Sequence, residues 1–234
     1  MAQTIQVRMS FRLCHGYRRG YPSVTRNRTN LIRIQTKSAK IKQVLPNILS
    51  LNARSILKKT EDLAHVIHNY KSDIVMVSET WLSDDIPDEA LHFPGIPGFS
   101  VVRNNRVNKR GGGVAVFIKD TIPFRLCHDF TNPDYECLWI TLRPKWLPRS
   151  ISKLALACVY LPPSLDSGAI EDFYDYFCNC YDMLTSDSPN IAIVAAGDFN
   201  PVGNGFQEKI ITNHCQLKQI VRQPTRGTAI LDLI

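Results

Sequence analysis

The chain of 234 residues carries 28 Lys and Arg against 21 Asp and Glu, a formal charge of +7, with 44% hydrophobic and 21% charged residues. That composition excludes collagen-like, coiled-coil and wholly disordered chains, and the longest apolar runs, such as Ile191 to Gly197, fall short of the ~18 to 20 residues of a membrane span. Seven cysteines without a Cys-x-x-Cys spacing argue against a disulfide framework and a zinc knuckle and for a reducing compartment.

The charge is concentrated at the start. Ten Lys and Arg residues precede Pro46, the first acid is Glu61, and residues 47–234 hold 18 basic and 21 acidic side chains, a net of −3. Residues 1–46 read as a basic leader, rich in Arg, Ser, Thr and Asn, without apolar periodicity and expected to be disordered. Three readings of it stand open: an organelle transit peptide, an arm that neutralises nucleic-acid phosphates, or an extension with no function of its own.

Residues 47–234 read as one α/β domain. Asn47 to Leu51 predicts a short buried strand, and Leu57, Leu63, Ala64, Ile67 and Tyr70 mark one face of a helix. Asp73 to Ser78 is a second apolar strand, Phe99 to Val102 a third, and Val114 to Lys119 a fourth, preceded by Gly111-Gly112-Gly113. The triple glycine lacks the Lys-Ser/Thr of a P-loop and precedes a strand, so it reads as a tight turn. Leu138 to Leu142 and Leu154 to Tyr160 form a hairpin pair through Pro144 and Pro148, with Cys137 and Cys158 as small buried hydrophobes. Ile170 to Leu184 is an amphipathic helix with Phe173, Phe177, Tyr181 and Leu184 at spacings of three and four. Ile191 to Gly197 is a central strand, and Ile230 to Ile234 begins one more. Strands apolar on both faces need cover on both faces, and two facing sheets with helices outside provide it.

The polar residues follow a pattern: strands stay apolar until their end, where an oxygen or amide appears. Asn52, Glu79, Tyr160, and Asp198 with Asn200 each stand at such an end. Adjacent strands bring such ends to one rim. Carboxylate and amide oxygens are hard ligands suited to Mg²⁺ or Mn²⁺, and a phosphate ester is the natural substrate of a site of that kind.

Six segments together resemble the endonuclease/exonuclease/phosphatase superfamily, most closely the apurinic-like endonuclease domains of non-LTR (LINE-type) retrotransposons, over residues 47–234. They are Leu51-Asn52-Ala53-Arg54-Ser55, Ser78-Glu79-Thr80-Trp81, Arg110-Gly111-Gly112-Gly113-Val114, Val159-Tyr160-Leu161-Pro162-Pro163, Gly197-Asp198-Phe199-Asn200, and Pro224-Thr225-Arg226 with Leu231-Asp232-Leu233-Ile234. The resemblance implies a four-layer α/β sandwich of two facing mixed sheets flanked by helices. It implies Glu79 as the principal Mg²⁺ ligand assisted by Asn52, and Asp198 as the group that positions or activates water. Asn200 would support Asp198 and contact the phosphate, Tyr160 would donate to a phosphate oxygen, Thr225 would lie near the nucleic-acid surface, and Asp232 would orient a histidine. The implied reaction is nicking of DNA to leave a 3′-hydroxyl, in the nucleus, with a reverse transcriptase domain downstream in an intact element.

The resemblance also implies a departure. Family members carry a Ser-Asp-His motif beyond the Leu-Asp-Leu-Ile strand, and none of the six histidines here takes that place; His214 lies upstream, and His65 and His68 sit on the first helix. The expectation is a domain lacking its C-terminal end, with impaired cleavage. The competing expectation is an inactive retrotransposon remnant that is inert or binds nucleic acid through its leader. A phosphatase of small molecules or lipids shares the same core, but the Asn-Ala-Arg-Ser and Pro-Thr-Arg segments fit the retrotransposon branch better.

Overall fold

In the computed structural model, which describes residues 4–7, 45–107, 111–200, 206–220 and 232–233, two five-stranded sheets face each other between helices. The first holds β1 (Thr4–Val7), β2 (Ile48–Asn52), β3 (Ile74–Ser78), β4 (Phe99–Asn104) and β5 (Val114–Lys119) in the order β1-β2-β3-β5-β4. The second holds β6 (Phe124–Leu126), β7 (Glu136–Leu142), β8 (Lys153–Tyr160), β9 (Ile191–Asp198) and β10 (Asp232–Leu233) in the order β10-β9-β8-β7-β6. The helices are α1 (Thr60–Tyr70), α2 (Ser167–Asp187) and α3 (Phe206–Asn213).

Period-two alternation builds the layers. Ile74 and Met76 of β3 meet Leu154, Leu156 and Cys158 of β8 in the core between the sheets. The alternate residues Val75 and Val77 pack outward with Leu63, Ala64 and Ile67 of α1. On the other sheet Ala155, Ala157 and Val159 pack outward with Phe173, Phe177 and Leu184 of α2. Small residues on the outer face of β8 leave room for these rings, and Trp139 packs against Phe177 with centroids 5.0 Å apart and planes tilted by 44°. Each sheet contains one parallel pair, β2 with β3 and β8 with β9. Parallel neighbours need a crossover, and α1 and α2 supply the two. Asp166 caps α2, accepting from the Ala169 N–H at 2.8 Å, and α1 ends on Lys71 in the left-handed region, whose N–H bonds back to the last turn.

The expected strands and both expected helices are present, and Cys137 and Cys158 are buried. Two details differ. Leu57 precedes α1 and is 40% exposed, and Tyr70 at its last position is 39% exposed, so neither belongs to the buried stripe. The leader, expected to be disordered, contributes β1, paired antiparallel with β2 from Thr4 opposite Leu51 to Val7 opposite Ile48; residues 8–44 lie outside the described residues. The six described cysteines are free thiols. Among the described residues no helix is long and apolar enough to cross a membrane.

Candidate active site

The two parallel pairs end at the same rim of the sandwich. Asn52 stands opposite Ser78, so Glu79 follows directly beside it. In the other sheet Tyr160 stands opposite Asp198. One atom joins the sheets: Asn52 Nδ2 donates to Glu79 Oε1 at 2.7 Å and to Asp198 Oδ2 at 2.8 Å, a contact between residues 146 apart in sequence. Four of the residues expected from the sequence thus converge.

Asn200 supports Asp198 through its backbone N–H, which reaches Asp198 Oδ1 at 3.2 Å, while its side-chain amide donates to the Leu161 carbonyl at 2.9 Å. Tyr160 is 7% exposed. Burial, reinforced by the Glu79 carboxylate, pushes its phenol up to about 12 against the opposing pull of Arg106, so it stays protonated as a donor. Asp232 is placed by register directly opposite Asp198 on β10. Thr225 lies outside the described residues. His214 pairs with Asp182 of α2 at 3.0 Å, on the outer helical layer.

The backbone at this rim is held in costly conformations. Five of the seven described non-glycine residues with positive φ are here: Arg54 (43°), Ser55 (80°), Glu79 (52°), Trp81 (54°) and Asn200 (33°). Such conformations persist where surrounding bonds over-determine them. Here Ser55 N–H donates to Glu79 O at 2.9 Å and Ile56 N–H to Thr80 O at 3.1 Å; Trp81 N–H donates to Gly112 O at 2.9 Å.

Three further residues stand at the rim without ending an apolar strand: Glu136 begins an antiparallel strand, while Arg106 and Trp81 lie in the loops past the ends of β4 and β3. Glu136 opens β7 opposite Tyr160. It forms an ion pair with Arg106, at 2.6 Å from Nε and 2.5 Å from Nη2, and accepts from the Gly113 N–H. Arg106 also lies over the Tyr160 ring, 5.4 Å from its centroid. A Cβ at Gly112 would collide with the Glu136 carboxylate and the Arg106 guanidinium, so the glycine run serves this close approach as well as its turn, where φ is 68°. The third residue, Trp81, donates from Nε1 to Glu79 Oε2 at 3.3 Å.

The donor set fits a hard divalent cation. Glu79 is half-buried, and its two hydrogen-bond donors, an amide and an indole, are neutral. No group of three or more His, Cys, Asp or Glu residues able to hold a metal occurs among the described residues. Mg²⁺ does not require one, since it commonly takes one or two carboxylates and keeps its waters. Asn52 presents its nitrogen to the carboxylates while its oxygen accepts from Arg54 N–H at 3.2 Å. Serving as a metal ligand therefore requires its amide to turn over.

Residues 47–200 match the family model described as endonuclease/exonuclease/phosphatase family. Among solved structures, the endonuclease domain of TRAS1, a telomere-specific non-LTR retrotransposon, is 14% identical, with a TM-score of 0.57 over 80% of this chain and 82% of that one. AP endonuclease LMAP from Leishmania major is 20% identical, with a TM-score of 0.49 over 67% of this chain and 58% of its own. The 3′ phosphatase NExo from Neisseria, bound to a product DNA hairpin, is 19% identical, with a TM-score of 0.45 over 67% and 58%. No curated protein matches in sequence.

Proposed function

The chain belongs to the endonuclease/exonuclease/phosphatase family, and from that membership we propose that it is a Mg²⁺-dependent phosphodiesterase that nicks one strand of DNA. The observation that carries this reading is the single amide of Asn52 tying the Glu79 and Asp198 carboxylates together across the two sheets. Glu79, with Asn52 turned to offer its oxygen, would hold the cation. When bound, the cation neutralises a phosphate oxygen and lowers the barrier to attack at phosphorus.

The remaining roles fall to the protein's own groups. Asp198, almost fully buried, accepts a proton from the attacking water and fixes its direction, and the Asn200 N–H holds the carboxylate in place. The Tyr160 phenol, kept protonated by burial and by the neighbouring carboxylates, donates to a phosphate oxygen as charge develops. Arg106, paired with Glu136 over the Tyr160 ring, fixes that ring. Asp232 stands opposite Asp198, where it would orient a further catalytic group, and Thr225 would meet the substrate strand. The water oxygen bonds to phosphorus as its proton passes to Asp198, the P–O3′ bond breaks, and the departing 3′ oxygen takes up a proton from solvent, leaving a 3′-hydroxyl and a phosphate on the 5′ carbon of the downstream nucleotide. A 3′-hydroxyl end is consumed by templated polymerisation, which is the step a retrotransposon's reverse transcriptase performs in the nucleus.

The test is end chemistry. Supercoiled plasmid incubated with the protein and Mg²⁺ is expected to become nicked circles whose ends a DNA polymerase extends without repair. Nicks that need phosphatase treatment before extension, or no nicks, contradict the proposal. In the second case the remaining reading is nucleic-acid binding by the basic leader, seen as salt-sensitive affinity lost on neutralising Arg8, Arg12, Arg18 and Arg19.

A further inference from the structure

The backbone places a large aromatic side chain at the candidate active site in a conformation that bulky residues avoid. Trp81 adopts φ 54°, a left-handed backbone value that is strained for a side chain of this size. Its backbone N–H is fixed on the Gly112 carbonyl at 2.9 Å, and its indole N–H on Glu79 Oε2 at 3.3 Å. Gly111 lies along the ring's edge, where a Cβ would come 3.6 Å from Nε1 and 3.8 Å from Cε2. With these three anchors the indole stays 39% exposed. Packing therefore does not explain its presence, since a buried ring would gain far more from the hydrophobic effect.

Position separates it from the other exposed aromatic side chains among the described residues. Tyr70 ends α1, before β3 begins, and Phe124 stands opposite Leu142 at the far end of β7. Trp146 lies in the turn between β7 and β8 with Lys145 over its ring. All three belong to the opposite end of the sheets. Trp81 alone stands at the rim, two residues from the carboxylate of Glu79 in sequence and hydrogen-bonded to it.

An anchored, half-open indole beside a phosphate-binding centre has the properties of a stacking platform. Every nucleobase has a π-face, so base–aromatic stacking is tolerant of sequence and adds substantially to single-strand affinity. Anchoring matters too, because a ring already held by its N–H on Glu79 and by the contact with Gly111 loses little rotamer freedom when a base settles on it. We propose that Trp81 is a nucleobase-stacking residue, which takes up a base displaced from the helical stack beside the phosphodiester held at Glu79 and Asp198. The inference rests on the DNA-cleaving reading above and adds a preference for DNA with an unstacked nucleotide next to the cleaved bond.

The test reads binding without chemistry, in Ca²⁺ or EDTA, with the full chain. In a Trp146→Phe background the change in fluorescence on binding reports Trp81, since Trp139 also emits but is buried away from any base. A single-stranded oligonucleotide is expected to quench that emission, and a fully paired duplex to quench it less. Trp81→Ala should weaken single-strand affinity about tenfold, within the range of base–aromatic stacking. Trp81→Phe, which keeps a ring but loses the N–H to Glu79, should keep most of the affinity; that arm separates stacking from support of the carboxylate. Replacing the bases one at a time by abasic linkers should weaken the wild type at one position and leave Trp81→Ala unaffected there. Equal affinities for wild type and Trp81→Ala, or loss on Trp81→Phe as large as on Trp81→Ala, overturn the inference while the cleavage reading stands. Absence of any binding to DNA by the wild type removes both.

Discussion

Replacing Asn52 with Asp keeps the shape of the side chain and reverses what it does at the centre of the site. The wild-type amide donates to Glu79 and Asp198 at once; the introduced carboxylate makes a third negative group among them. Two unit charges ~4 Å apart repel by about 4 kcal/mol at an effective dielectric of ~20. That repulsion is capped by protonation. Forcing a proton onto a carboxyl of reference pKa ~3.9 costs about 5 kcal/mol at pH 7.5 and about 1.5 kcal/mol at pH 5, at 1.36 kcal/mol per unit. The folded cluster thus has its carboxyl pKa raised above the unfolded value, so its stability is greatest at low pH and is lost as pH rises through the raised value. The variant should recover up to about 3 kcal/mol relative to wild type between pH 7.5 and pH 5, which for a domain of this size corresponds to about 6–12 °C in Tm. Circular-dichroism melts of both proteins in EDTA at the two pH values measure it. A stability difference that does not change with pH would refute the convergence of Asn52, Glu79 and Asp198, whatever the protein's activity. Millimolar Mg²⁺ at pH 7.5 should also narrow the gap, because it neutralises the same charges.

Arg106→Met leaves the Glu136 carboxylate, only 13% exposed, without its cation; a loss of about 3 kcal/mol in denaturant unfolding is expected, and a loss below 0.5 kcal/mol would show that the pair contributes nothing. Gly197→Ala places a Cβ on the Val159 carbonyl at φ 143°, so the protein should fail to accumulate in soluble form; a soluble protein with wild-type Tm would contradict the register of β8 and β9. Burial raises Tyr160, Tyr174 and Tyr176 above the ordinary tyrosine value. Their contribution to stability is therefore intact below pH ~10, where unfolded phenols begin to ionise, and is lost as pH rises towards the folded values. In alkaline melts Tyr160→Phe should lose less stability than wild type between pH 10 and pH 12, and identical slopes would argue against a buried phenol there.

Much of this fold was legible because its strands announce themselves by burial. β3, β5, β8 and β9 are apolar on both faces, and α1 and α2 each carry one apolar face. β6 was missed because it has three residues, two of them exposed. α3 was missed because Phe206 to Asn213 has few apolar residues to show a period. β1 lies in the leader, where Thr4 to Val7 is too short to stand out among polar neighbours. At the site, residues at the ends of parallel strands could be read from sequence, since each follows an apolar run. Glu136 and Arg106 could not, because they arrive at the start of one antiparallel strand and just past the end of another; only the register of β7 on β8 and the loop after β4 bring them to Tyr160. The glycines at Gly111 to Gly113 predict a tight turn; the folded chain bends at Gly111 and holds all three at positive φ, and the contact of Gly112 with the Arg106–Glu136 pair is a property of the folded chain.

The most direct measurement is the rate of cleavage of a 5′-labelled DNA duplex under single-turnover conditions as Mg²⁺ is titrated, for wild type, Glu79→Gln and Asp198→Asn. Both substitutions keep the side-chain volume. Saturable Mg²⁺ dependence and no cleavage in EDTA are expected for wild type. Loss of a metal ligand or proton acceptor should cost about 10²- to 10⁴-fold, with Glu79→Gln also needing more Mg²⁺. Cleavage that proceeds equally in EDTA, or at wild-type rate in both variants, would contradict a hydrolytic centre built on Asn52, Glu79 and Asp198.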